Sequence, residues 1–367
     1  MFKLIFLFFI LTSCASKNDR TFIDYSSEDV EEKFEVVKEE KFKKFFDSDP
    51  SKKNYLDREN KNNQKTEVVS HKKTKATKKV TNKSKTKSIK KKSDKEVKLV
   101  KKVGLYPSDF PKKLKSYDKN SESFWYDFKP RIFLGEEFVF EVSYLGITAG
   151  YIKMNTDPVA VLGGEDVFKF KANMRSARFY ESIYSLDDSL ESIVRIKDFI
   201  PLKYTLMQRE SGQIVDDLQL FDQEKRKTYF WYKRIKKGRN KEIEKEEFIP
   251  RFYQDSYSAL YFVRGFPLKK NDVYEFPVIT RGKLWIIKIK VGGVETIEIM
   301  DEDIQAIRVE AETRFPGVLK KKGDIVFWYS NDPYRKLLKF QANVKIGSIK
   351  GELVEYREGK IFSRTGE

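Results

Sequence analysis

From residue 130 onward the chain alternates apolar and polar side chains over short runs. In VFKFKANMR, Phe168, Phe170, Ala172 and Met174 alternate with Lys169, Lys171, Asn173 and Arg175. Successive side chains of a strand point to opposite faces, so this spacing sets one face on a core and the other in water. AIRVEAETRF repeats the pattern with Ile307, Val309 and Ala311, LLKFQANVKIG with Leu338, Phe340 and Val344, and LWIIKIKV with Trp285, Ile287, Ile289 and Val291. Strict alternation belongs to antiparallel sheets with one wet face. Turn signals at Gly163-Gly164, Gly238-Arg239-Asn240 and Asn331-Asp332-Pro333 divide the region into roughly a dozen strands. One short helix is predicted at DSYSALYFVRG, with Asp255 as N-cap and Gly265 as stop. The fold class is therefore mainly β, an antiparallel sheet with one short helix, over residues 118–367. IVFWYS is apolar on both faces, so Phe327 and Trp328 either lie deep in the core or, with Trp285, line a cavity. The charged outer faces argue against a membrane barrel, which needs an apolar outer band.

Upstream the pattern changes. Residues 48–117 are poor in apolar side chains and rich in Lys, Ser, Thr and Asn, a composition that cannot bury enough surface to offset chain entropy, and are predicted to be a disordered linker. Between Lys72 and Lys102, fifteen lysines meet only Asp94 and Glu96, so this tract carries +13 of the chain's net +18. In the cytosol such a run would suggest nucleic acid. Export removes that partner and leaves the anionic polymers of a cell envelope, lipopolysaccharide and peptidoglycan, or a plain cationic spacer. Residues 26–47 carry Val30, Phe34, Val37, Phe42 and Phe45 near helical spacing, with acids early and bases late. They predict a short amphipathic helix that docks on the membrane or on the folded domain, or else frays.

Residues 1–13 read as a signal peptide: Lys3, then an apolar segment from Leu4 to Leu11, then the small residues Thr12 and Ser13. The order Leu11, Thr12, Ser13, Cys14 resembles a bacterial lipobox, which implies that Cys14 is lipidated and moors the protein to a membrane. Ala15 in place of an aspartate implies the outer membrane, with the protein facing the periplasm. Cys14 is the single cysteine of the chain and His71 the single histidine. That excludes disulfides, Ser-His-Asp and Cys-His catalysis, and the usual zinc sites. No cofactor, metal or catalytic residue is predicted.

Three segments carry a family resemblance: GEEFVFEVSYLGITAGYIKM (Gly135, Glu136, Tyr144, Gly146, Gly150), DSYSALYFVRGFPLKKNDVYEFPV (Asp255, Ser258, Tyr261, Arg264) and FWYSNDPYRKLLKFQANVKIGSIKGEL (Trp328, Ser330, Asp332, Arg335, Gly347, Leu353). In order and spacing they resemble the bacterial domain-of-unknown-function 3108 family of secreted proteins, a resemblance that brings no reaction with it. The last segment more loosely resembles the half-open β-barrels of periplasmic lipoprotein carriers, which implies a curved sheet wrapped over the helix.

Two functional classes follow. One is a non-catalytic binding module for an apolar or amphiphilic envelope component, a lipid or a glycan, held on a long cationic tether. In that reading Asp255, Ser258, Tyr261 and Arg264 frame a polar site or merely cap and pair the helix. The other is a scaffolding lipoprotein that bridges outer membrane and cell wall through the lysine tract. A remoter class is a hydrolase using paired carboxylates, Asp187 and Asp188 with Glu191, or Asp216 and Asp217.

Overall fold

The computed structural model describes residues 106–314, 324–344 and 347–363. Cys14, the segment 26–47 and the lysine tract lie outside them. Among the described residues there are three helices, α1 (Lys112–Asp127), α2 (Arg178–Glu181) and α3 (Ser258–Arg264). The first strands are β1 (Phe133–Leu134), β2 (Glu137–Tyr144), β3 (Ile147–Thr156), β4 (Ala160–Leu162), β5 (Glu165–Ser176) and β6 (Asp187–Arg195). Then come β7 (Ile200–Glu210), β8 (Gln213–Asp222), β9 (Lys227–Lys236), β10 (Arg239–Phe248), β11 (Val273–Thr280) and β12 (Lys283–Ile299). The last are β13 (Glu302–Arg314), β14 (Asp324–Ser330), β15 (Leu337–Asn343), β16 (Ser348–Arg357) and β17 (Lys360–Ile361).

Fifteen strands form one antiparallel sheet, in the order β10-β9-β8-β7-β6-β5-β3-β2-β16-β15-β14-β13-β12-β11, with β4 beside β5. β1 and β17 pair separately. Most pairs are between strands consecutive in sequence; β3 pairs β5 across β4, and β2 pairs β16, where the two ends of the domain join in register from Ile349↔Tyr144 to Arg357↔Glu137. β10 and β11 remain as edges, so the curved sheet is not a closed barrel. Register shifts in the β2–β3, β6–β7, β12–β13, β14–β15 and β16–β2 pairs supply local bends.

The expected alternation holds: Phe168, Phe170, Ala172 and Met174 are buried, as are Ile307, Val309 and Ala311 on β13. A curved sheet with an open seam needs its concave face covered. The segment between β10 and β11 does this. Gln254 forms a parallel bridge to Val278, and α3 follows within the core. Tyr261 stacks on Phe170 with ring centroids 3.8 Å apart, and Phe262 meets Trp125 at 4.2 Å, Phe128 at 4.5 Å and Phe276 at 5.2 Å. Gly265 ends α3 where any Cβ would lie 2.8 Å from the Lys129 carbonyl oxygen.

α3 begins at Ser258 with Tyr257 in the N-cap position, two residues later than the N-cap expected at Asp255, which instead holds the turn that leads into the helix. Its carboxylate accepts the N–H groups of Tyr257 and Ser258, both at 2.8 Å, and the Ser192 hydroxyl, while Ser258 Oγ accepts the Asp255 N–H at 3.0 Å. This reciprocal cap satisfies donors that the first helical turn cannot. At the other end, Arg264 donates to both oxygens of Glu136, at 2.7 and 3.0 Å, and to the Tyr334 carbonyl at 2.8 Å. Both partners are buried, Glu136 fully and Arg264 to 2% exposure.

α1 reaches across the expected boundary at residue 118. It has few apolar side chains, which is why periodicity did not reveal it. It is held by the Trp125 indole N–H donating to the Asp198 carbonyl at 2.9 Å, and by Asp118 accepting the Arg251 N–H at 2.6 Å.

Removing one member of a buried ion pair leaves an uncompensated charge, at a cost of about 3–5 kcal/mol, whereas replacing both with apolar groups is often neutral. Arg264→Met alone is therefore expected to lower stability by about that amount in urea unfolding, and the double variant Glu136→Leu/Arg264→Met to recover most of it. Equal losses in single and double variants would show that the pair itself is not the source.

Candidate functional site

The four polar residues predicted on and before α3 do not converge on an open site. Asp255 and Ser258 cap one end of the helix, Tyr261 stacks in the core, and Arg264 is consumed by Glu136 at the other end. Burial works against the Arg264 charge, but Glu136 outweighs it and holds the guanidinium above its ordinary value. Tyr356 also donates to Glu136, at 3.0 Å. Asp332, in the turn after β14, accepts the Tyr334 and Arg335 N–H groups and the Ser330 hydroxyl, fixing the loop whose Tyr334 carbonyl Arg264 uses. Glu136, Arg264, Ser330 and Asp332 come from the three segments singled out in the sequence. Their meeting place is a buried structural junction.

Phe327 and Trp285 are buried on inward positions of β14 and β12. Trp328 faces the other side of β14, between Arg308 and Lys339 of the neighbouring strands, and its indole N–H donates to Glu295. Lys339 lies over its ring, the ammonium 5.9 Å from the centroid. Trp328 belongs to the apolar core cluster, and long charged side chains complete its burial on this face.

β2 runs from the ion pair toward the opposite end of the sheet, and that end differs in kind. There the β2–β3 turn, the loop between β5 and β6 carrying α2, and the β7–β8 turn come together. Leu145, 58% exposed, occupies the β2–β3 turn with φ +52°, followed by Gly146 at φ +78°. Positive φ at both turn positions suits Asn-Gly, and leucine there costs about 1 kcal/mol or more. Ile147, Tyr151, Phe179 (75% exposed) and Ile183 add further exposed apolar side chains. Beneath this rim lies a cavity of about 20 Å³ lined chiefly by Val142, Ile152, Met174, Leu186, Phe340 and Ile349. That is room for about one water molecule. Gly150 also lines it, and a Cβ at this glycine would lie 2.3 Å from the Arg175 carbonyl oxygen, so the close approach of β3 to β5 requires it.

Beside the cavity is an acidic pair. The doublets suspected of acid-base chemistry are split by strand alternation: Asp187 points outward to Arg175 at 3.2 Å, while Asp188 is buried. Glu191 stays on the outer face with Lys171. Asp216 pairs with Arg209 at 2.6 Å, whereas Asp217 is buried against Arg281 at 2.9 Å. Asp188 instead meets Glu210 of β7 through one shared donor. Gln208 Nε2 reaches Asp188 at 3.2 Å and Glu210 at 3.3 Å. Asp188 also accepts the Arg209 N–H at 2.9 Å, and Glu210 accepts Gln213 Nε2 at 3.2 Å and the Tyr184 hydroxyl. Burial pushes the carboxyl of Asp188 up to about 6 and that of Glu210 up to about 7. Glu210 and Gln208 were not singled out in the sequence. The signal was present, since Tyr204, Leu206, Gln208 and Glu210 continue one inward face of β7.

The family description "Protein of unknown function (DUF3108)" matches residues 139–354. The chain belongs to the DUF3108 family. No curated protein matches it. Among solved structures, the DUF3108 chain is similar to a β-barrel-like protein of domain-of-unknown-function family DUF1849 from Brucella abortus. The identity is 10%, with 63% of this chain and 99% of that one covered and a TM-score of 0.41. It is also similar to a candidate lipoprotein from Parabacteroides distasonis, with 12% identity, 62% and 97% coverage and a TM-score of 0.29. A third is a candidate exported protein with a YmcC-like fold from Bacteroides fragilis, with 10% identity, 63% and 99% coverage and a TM-score of 0.28.

Both acids have folded-state values above their ordinary ones, so the folded protein binds more protons than the unfolded chain. Their contribution is favourable below the ordinary carboxylate range and is lost as pH rises through about 6 and about 7. Asp188→Asn and Glu210→Gln are each expected to raise stability above neutral pH, on the order of 1 kcal/mol after solvent screening, and to flatten the pH dependence between about pH 5 and 8. Thermal unfolding across that range measures it, and an unchanged slope in both variants would contradict the assignment.

Proposed function

We propose that this protein is an exported, lipid-anchored envelope protein whose folded domain is a non-catalytic binding module for an apolar or amphiphilic envelope component. The observation that carries this reading is the rim of Leu145, Ile147, Tyr151, Phe179 and Ile183, exposed at one end of the sheet above an apolar cavity. Contiguous exposed apolar surface marks contact with a partner, a ligand or a membrane. Export and anchoring rest on the apolar leader and the lipobox-like order ending at Cys14. Outer-membrane placement facing the periplasm rests on Ala15.

A second role, contact with lipopolysaccharide or peptidoglycan, is supported by the charge density of Lys72 to Lys102. Deleting that tract is expected to abolish salt-sensitive binding to either polymer in a pull-down at rising ionic strength. Unchanged binding would leave the tract as a spacer.

For the rim, the triple variant Leu145→Ser/Ile147→Ser/Phe179→Ser should keep its melting temperature, since exposed substitutions shift stability by only about 0.5 kcal/mol. It should lose amphiphiles that co-purify with the wild-type chain in native mass spectrometry. Equal occupancy in both proteins would refute the reading.

A further inference from the structure

Three buried carboxylates elsewhere in the domain face a cation: Glu136 has Arg264, Asp217 has Arg281 and Glu312 has Lys290 at 2.6 Å. Asp255 and Asp118 stand singly and accept backbone N–H groups. Asp188 and Glu210 differ in lying together. Among the described residues no lysine or arginine side chain forms an ion pair with either. The Arg209 guanidinium turns to Asp216 and to the carbonyls of Gln208 and Val215. Lys236 acts on Glu210, and Arg209 on Asp188, only through longer-range attraction. Two carboxylates therefore share one neutral amide, with Asp187 adding repulsion from the outer face.

The amide itself is incomplete. Gln208 is 1% exposed, and its Oε1 has no hydrogen-bond partner although its Nε2 serves both acids. A buried acceptor left unmade costs about 1–3 kcal/mol. Each carboxylate retains spare capacity, because two oxygens offer about four acceptor sites. The cluster thus presents two negative charges and an empty neutral acceptor, all wanting donors and positive charge.

We propose that Asp188, Glu210 and Gln208 form a binding site for a primary ammonium group. An ammonium is a compact cation with three donors, which matches two carboxylates and one amide oxygen. Among the described residues no third acid, histidine or cysteine joins the two carboxylates as a metal ligand. Glu210, at 9% exposure, is the member nearest solvent. It lies under the β7–β8 turn, where Ser211 donates to the Ser185 carbonyl at 2.9 Å and accepts the Ser185 N–H at 2.7 Å. Tyr184 closes the side, its hydroxyl on Glu210 and its ring 3.6 Å from the Cβ that a substituted Gly212 would carry. The proposal needs no apolar chain on the ligand, so it stands or falls separately from the rim.

The test is thermal unfolding of the whole chain in ethylammonium chloride, against tetramethylammonium chloride, which has no N–H donor, at equal ionic strength. Ethylammonium should raise the melting temperature near pH 8 and not near pH 5, where both acids are protonated. Its affinity should fall at least about tenfold in Glu210→Gln and in Asp188→Asn, each nearly isosteric, so that either one suffices if the other misfolds. Equal stabilisation by tetramethylammonium, equal affinity in a folded variant, or no stabilisation at all would overturn the proposal. Stabilisation by calcium chloride and not by ethylammonium would overturn it in favour of a metal.

Discussion

The architecture turns on one buried ion pair. Glu136 stands at the start of β2, the strand that joins the two ends of the domain through β16, and Arg264 ends the helix that fills the concave face. A guanidinium and a carboxylate removed from water are worth keeping only when their geometry is bidentate and their remaining donors and acceptors are met. Here the pairing is bidentate, the Tyr334 carbonyl and the Tyr356 hydroxyl meet two further groups, and the Arg264 Nε–H is left without a partner. The pair thereby pins α3, β2, β16 and the turn after β14 to one another. An open sheet of this size could flex at its seam between β10 and β11. The pinned helix, together with the bridge from Gln254 to Val278, gives that seam an interior to close upon.

Four of the residues that carried the resemblance in the sequence, Glu136, Arg264, Ser330 and Asp332, meet at this junction. They lie far apart in sequence and are joined by an ion pair and hydrogen bonds that hold the sheet and helix together. At the opposite end of the sheet Leu145, Ile147, Phe179 and Ile183 are exposed beside two buried acids, Asp188 and Glu210, that share one amide donor.

The strands were legible in the sequence because a half-buried strand writes its faces as alternation, and Phe168 to Met174 or Ile307 to Ala311 could hardly be read otherwise. α3 was legible from Asp255 and Gly265. Three features were not. α1 buries Leu114, Asp118, Ser121 and Trp125 at helical spacing, but two of these four are polar, so an apolar period does not mark it. Trp328 reads as interior because it is apolar and does join the core cluster, but its contacts to Lys339 and Glu295 are placed only by cross-strand register. Among the acids, adjacency suggested Asp187 with Asp188, but strand alternation parts neighbours and joins residues from different strands. Glu210 could be paired with Asp188 only once β6 and β7 were known to be neighbours.

The division between a holding end and a binding end is tested most directly by hydrogen-exchange mass spectrometry of the whole chain, with and without a detergent-free extract of envelope lipids. The expected result is slowest exchange in α3 in both conditions, with added protection confined to the segments around residues 144–151 and 176–188. Protection appearing instead around Glu136, Arg264 and Tyr334, with the rim unchanged, would contradict the account.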